Sequence, residues 1–183
     1  MKIPTILIEN ATSKDKTGYM MQSVYLDTIG KRLIATEGHI LSSIAAEVGA
    51  DDVSGCIPAE ALRTARKLLK EKRNKYMSSP VEIAVNGKVK VSDGVATLEF
   101  EKLDGTFPNY QLILDQSLTG DKMSRPATIT FNVNQLLQLA QALGEPNRDK
   151  EHIVSLRIEN AMKPIVVTHS ENSEAIGLLM PTR

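Results

Sequence analysis

Short apolar runs broken by turn signals fill the first third of the chain. Ile3, Ile6 and Ile8 open it as strand-like sequence. Val24-Tyr25-Leu26 and Leu33-Ile34-Ala35 follow, separated by Asp27-Thr28-Ile29-Gly30, a hairpin-type turn. Ile40 to Val48 fits either a strand or a short helix. The period then changes. Pro58 suits a first helical turn, because its missing N–H would be unpaired there in any case. Leu62, Ala65, Leu68 and Leu69 recur at helical spacing as far as Pro80. Alternation returns at Val81, Ile83 and Val85, turns at Asn86-Gly87, and continues at Val89 and Val91. Asp93-Gly94 marks a further turn before a strand over 95–100.

The polar segment 116–128, with Gly120 and Pro126, reads as a linker between a unit at 1–115 and a second at 129–183. In the second unit Ile129 to Phe131 predicts a short strand. Asn132 or Asn134 can cap a helix whose apolar face is Leu136, Leu137, Leu139, Ala140 and Leu143. Gly144 and Pro146 stop it. Val154, Leu156 and Ile158 alternate, Ile165-Val166-Val167 is another strand, and Ile176, Leu178 and Met180 form the last. A strand–helix–strands plan therefore recurs, over 56–103 and 129–181, and 1–55 looks like a third copy without its helix. The predicted class is α+β with antiparallel sheets.

Composition narrows the function. With 22 basic and 22 acidic residues the chain is no polycation, so a nucleic-acid surface would have to be local. No Trp and only seven other aromatics argue against a base-stacking platform for single strands. The lone Cys56 excludes an intrachain disulfide framework and fits a reducing cytoplasm. No apolar run approaches the roughly 20 residues that span a bilayer, and the N-terminus carries no signal-peptide pattern.

Candidate chemistry is sparse. His39, His152 and His169 lack metal-ligand spacing, and no phosphate-cradling Gly-rich loop is present. Cys56 with His39 could be imagined as nucleophile and base, but a lone cysteine in an apolar run reads as an inert buried thiol. No cofactor and no catalytic residue is expected. What remains is charge: Arg63, Arg66, Lys67, Lys70, Lys72, Arg73 and Lys75 share the first helix and its end, with Glu71 the only acid among them. Such a run is most often a solvated face. It also fits weak, sequence-independent contact with phosphates. The second helix, over 133–143, carries no charge.

Three segments carry a resemblance. Leu33-Ile34-Ala35-Thr36-Glu37-Gly38-His39-Ile40-Leu41 is similar to the "L-V-A-T-D-G-H-R-L" of bacterial beta sliding clamps, the beta subunit of DNA polymerase III. Asp104-Gly105-Thr106-Phe107-Pro108-Asn109-Tyr110 resembles that family's "D-G-x-F-P-D-Y", and Leu178-Leu179-Met180-Pro181-Thr182-Arg183 its closing "V-V-M-P-M-R". Upstream, Ser13 to Thr17 falls where the family has related residues.

The resemblance implies a DNA-clamp fold of about one and a half clamp domains, without the first helix of the middle domain. It implies a non-enzymatic replication accessory, a processivity factor that binds polymerase-type clamp-binding peptides and, as a homo-oligomer, encircles duplex DNA. A non-ring adaptor or decoy that occupies replication proteins is the other reading. The family's peptide cleft maps onto Thr36, Gly38, His39, Ile40, Leu41, Pro108, Leu112, Ile113, Leu178, Met180 and Pro181. Ile40 and Leu112 stand where many members have Arg, which makes the expected cleft more apolar.

Overall fold

The structure is a computed structural model, and it describes residues 1–13, 19–74, 81–118, 129–144, 153–159, 162–170 and 172–182. Ten strands and three α-helices are described: β1 (Ser23–Asp27), β2 (Arg32–Thr36), β3 (Ile40–Ala45), β4 (Gly55–Pro58), α1 (Ala59–Asn74), β5 (Glu82–Asn86), β6 (Lys88–Ser92), β7 (Thr97–Phe100), α2 (Tyr110–Leu118), α3 (Val133–Leu143), β8 (Val154–Arg157), β9 (Ile165–His169) and β10 (Asn172–Leu179). Seven strands form one antiparallel sheet in the order β4-β1-β2-β3-β10-β9-β8, and β5-β6-β7 form a second. The larger sheet is continuous across the chain because β3 pairs with β10, Leu41 opposite Leu178 and Ile40 opposite Leu179.

Both faces of the inner strands β1, β2 and β9 are largely covered, which explains why they read as unbroken apolar runs. On one face Leu33, Ala35, Ile40, Ile44, Ile165, Val167 and Leu179 join Leu62 and Ala65 of α1 and Leu139 and Leu143 of α3 in the main core. The same core takes Ile83, Val85, Val89 and Val91 from the small sheet. Here the alternation and the Asn86-Gly87 turn fold as expected, with Gly87 at φ +71°. On the opposite face Ile34, Leu41, Val166 and Leu178 pack with Cys56, Phe107 and the α2 residues Tyr110 and Leu114. The period of two thus assigns adjacent residues to different cores.

Several expectations need correction. Ile3, Ile6 and Ile8 are buried but form no strand; a 3₁₀ turn over Ile8–Ala11 stands there and packs on α3. Pro58 is the last residue of β4, and α1 starts at Ala59. Residues 129–131 are not a strand, although the Thr130 carbonyl accepts from Thr182 N–H at 2.7 Å. Asn132 does cap α3, its side chain accepting from Asn134 N–H. The expected linker is helical through Leu118, and residues 119–128 lie outside the described residues. Segment 14–17, Pro80, Pro146 and His152 also lie outside them.

Candidate functional site: the seam between β3 and β10

Three separated segments meet at one end of the β3–β10 seam. The first is the turn Thr36–Ile40. The Thr36 hydroxyl donates to the Ile40 carbonyl at 2.7 Å and accepts from Gly38 N–H at 3.1 Å. One Glu37 carboxylate oxygen accepts from the N–H groups of His39 and Ile40, at 3.0 and 3.1 Å. Gly38 takes φ +100°, a conformation that side chains resist, so the turn itself accounts for this glycine. The second segment is the end of β10, where Met180 N–H donates to the His39 carbonyl at 3.0 Å.

The third segment is α2. Asn109 caps it, its Oδ1 accepting from Leu112 N–H at 3.2 Å. Tyr110, Leu114 and Ser117 recur at helical spacing and are buried against the sheet, while Leu112 and Ile113 stay outward, 53% and 37% exposed. Phe107 stacks on Tyr25 with ring centroids 5.1 Å apart, holding the approach to the helix against β1. The Tyr110 hydroxyl donates to Asp27 Oδ2 at 2.5 Å. Burial alone would raise the Asp27 carboxyl, but this bond and the N–H groups of Gly30 and Ile29 hold it below the ordinary 3.8. Burial, then the Asp27 contact, pushes the Tyr110 hydroxyl strongly up.

The residues expected to line a peptide cleft divide by depth. Leu41 and Leu178 form a buried floor with Leu114 and Val166. Thr36, opposite Leu41, lies on the same face with its hydroxyl spent inside the turn. Gly38, His39, Leu112, Ile113 and Met180 are exposed, and Pro108 and Pro181 are half-buried. Ile40 does not join them. It is one residue out of phase with Leu41 and points into the main core on the far face of the sheet. Sequence reasoning missed Met20 and Met21. Met20 packs against the floor, and Met21 Sδ lies 3.9 Å from where a Cβ on Gly38 would stand.

The basic face of α1 is smaller than its sequence implies. Arg63, Lys67 and Lys70 are exposed, and the first two reach Glu60 at 3.8 and 4.0 Å. Arg66 turns inward instead. Its Nε meets Glu9 Oε1 at 2.5 Å, and its guanidinium also donates to the carbonyls of Pro4 and Ile6. It is therefore committed to the fold and not to phosphates. The side chains of Lys72 and Arg73, and all of Lys75, lie outside the described residues. Cys56 is buried among apolar neighbours three strands from the His39 turn, and burial pushes its thiol up. Among the described residues no cluster of three His, Cys, Asp or Glu could hold a metal ion, and no helix is long and apolar enough to cross a membrane.

This architecture, antiparallel sheets with α1 and α3 on one face and α2 on the other, is the DNA-clamp fold. The chains it is similar to are bacterial beta sliding clamps. The curated beta sliding clamps of two Caulobacter vibrioides strains are each 27% identical over 187 residues, which is 91% of this chain and 48% of theirs. Among solved structures, the DNA polymerase III subunit beta of Bartonella birtlesii bound to griselimycin superposes with a TM-score of 0.72 at 21% identity, covering 97% of this chain and 63% of that one. The Caulobacter crescentus sliding clamp gives 0.71 at 19% identity, with 97% and 62% covered. The chain thus spans about half the length of the curated relatives it matches. No protein-family model matches it.

Proposed function

We propose that this protein is a sliding-clamp-like replication accessory whose cleft at the β3–β10 seam receives short clamp-binding peptides from polymerases and other replication proteins. The observation that carries the reading is the meeting of three segments, far apart in sequence, around one apolar floor: Leu41 opposite Leu178, Met180 bonded to His39, and α2 packed above. Exposed Leu112, Ile113 and Met180 around that floor suit one or two bulky apolar anchors, with the thioether adapting to their shape. The reading is non-catalytic and needs no cofactor. Similarity to the beta sliding clamps supports it.

Two further parts belong to the reading. Duplex DNA would lie against the helix side, with Arg63, Lys67 and Lys70 supplying phosphate contacts. The chain would self-associate through sheet edges, where β8 ends the large sheet and Ile153 and Leu156 stand exposed. The two units, 1–115 and 129–183, would then join at the β3–β10 seam.

A fluorescence-polarisation titration with a polymerase-derived clamp-binding peptide tests the cleft. Burial of an apolar anchor at roughly 25 cal/mol per Å², less the ordering cost of a flexible peptide, leads to an affinity on the order of micromolar. Met180→Ala removes an exposed wall residue and is expected to weaken binding about tenfold while the protein still melts cooperatively. A parent protein that binds no peptide would remove the reading.

A further inference from the structure

At nine residues, α2 is too short to hold its own conformation in water, so its contacts must fix where it lies. Its inward face supplies one contact through Leu114 in the apolar floor. Its far end supplies another, where Arg157 of β8 donates to the Ser117 carbonyl at 3.0 Å. The first turn is held by the buried Tyr110 ring and by a polar bond from its hydroxyl. The Tyr110 hydroxyl reaches Asp27 at the tip of the β1–β2 hairpin, 83 residues away in sequence. The other oxygen of the same carboxylate accepts from Ile29 N–H at 3.0 Å and Gly30 N–H at 3.1 Å, so the acceptor is itself fixed by its turn. Leu112 and Ile113 follow two and three positions after Tyr110.

We infer that the Asp27–Tyr110 hydrogen bond sets the position of α2, and that Asp27 and Tyr110 are positioning residues for peptide binding although neither stands in the cleft wall. The inference rests on the peptide-cleft reading. An ionised acceptor makes this bond one of the stronger kind. Its loss leaves the first helical turn held by apolar contact alone, which does not specify a direction. The peptide must then fix the helix at the moment it binds, and the affinity falls by that ordering cost.

The test uses the full chain and the same polymerase-derived peptide. Tyr110→Phe keeps the ring and removes the hydroxyl. It is expected to weaken binding about three- to tenfold and to raise hydrogen exchange at α2 amides, with those of β3 and β10 unchanged. Asp27→Asn keeps one acceptor oxygen for the turn N–H groups and turns its amide NH2 toward the Tyr110 hydroxyl, which can accept from it, so it is expected to lose less affinity than Asp27→Ala. Leu139→Ala, in the core on the opposite face, serves as a destabilised control whose peptide affinity stays at the parental value. If the parent binds but Tyr110→Phe binds equally well with unchanged α2 exchange, this inference is overturned and the cleft stands. Exchange that rises across the whole chain would also overturn it, since the bond would then be merely structural. A parent that binds no peptide removes the cleft reading and this inference together.

Discussion

Arg66 sits in the middle of the basic run of α1, and nothing local distinguishes it from Arg63 or Lys67. Its partner Glu9 lies 57 residues upstream, in a segment whose isoleucines read as a strand. The helix places residue 66 toward the 3₁₀ turn, where the guanidinium also satisfies the Pro4 and Ile6 carbonyls that a sheet would otherwise pair. Removing one partner from a largely buried, hydrogen-bonded ion pair leaves the other charge uncompensated. Arg66→Ala is therefore expected to lower the unfolding free energy by about 3 kcal/mol in urea titrations, with DNA affinity of the still-folded protein unaltered. A variant as stable as the parent would show that Arg66 does not tie the N-terminal segment down. Ile40 makes the opposite point. Once β3 is a strand, parity alone separates Ile40 from Leu41, and only the packing decides that Leu41 is the one on the α2 side.

Among the elements, α1 and α3 share the helix side yet differ in chemistry. α1 exposes Arg63, Lys67 and Lys70, whereas α3 exposes Val133, Asn134, Leu137 and Gln141. DNA contact should therefore fall to α1. Each phosphate neutralised releases counterions, so replacing Lys67 and Lys70 by Ala is expected to flatten the slope of log affinity against log salt by roughly two. An unchanged slope in salt-series binding assays would take α1 off the DNA. Legibility differed between elements for physical reasons. The β1–β2 hairpin was readable because two short apolar runs flank turn residues, β5–β6 because alternation and turn agreed, and α3 because Asn132 precedes a periodic apolar face. α2 was missed: two turns give too few periodic positions, and its polar last turn merges with the polar residues that follow. The signal available was Asn109, a capping residue placed just before Tyr110 and Leu114.

The whole molecule is organised by one seven-stranded sheet with a helix-lined face and a face that carries α2. That division separates the two proposed partners, DNA on the helix side and peptides at the seam on the other. It also leaves β8 and β7 as sheet edges with exposed apolar residues, Leu156 on β8 with Ile153 just before it, and Leu98 on β7. Edge strands of this kind invite pairing with another copy. Light scattering at micromolar concentration is expected to give a homo-oligomer, and a single-chain mass would leave a non-ring clamp relative.

The cleft bears most of the functional reading, because it alone depends on all three segments arriving together. The segment resemblances were visible in sequence, but which side chains lie at the floor, which at the rim and which behind the sheet depended on register. Amide chemical-shift mapping during the peptide titration tests this most directly. Saturable shifts are expected within 36–41, 108–113 and 178–182, with the helix-side amides of α1 and α3 unmoved. Shifts centred on α1 or α3, or none at saturating peptide, would contradict it.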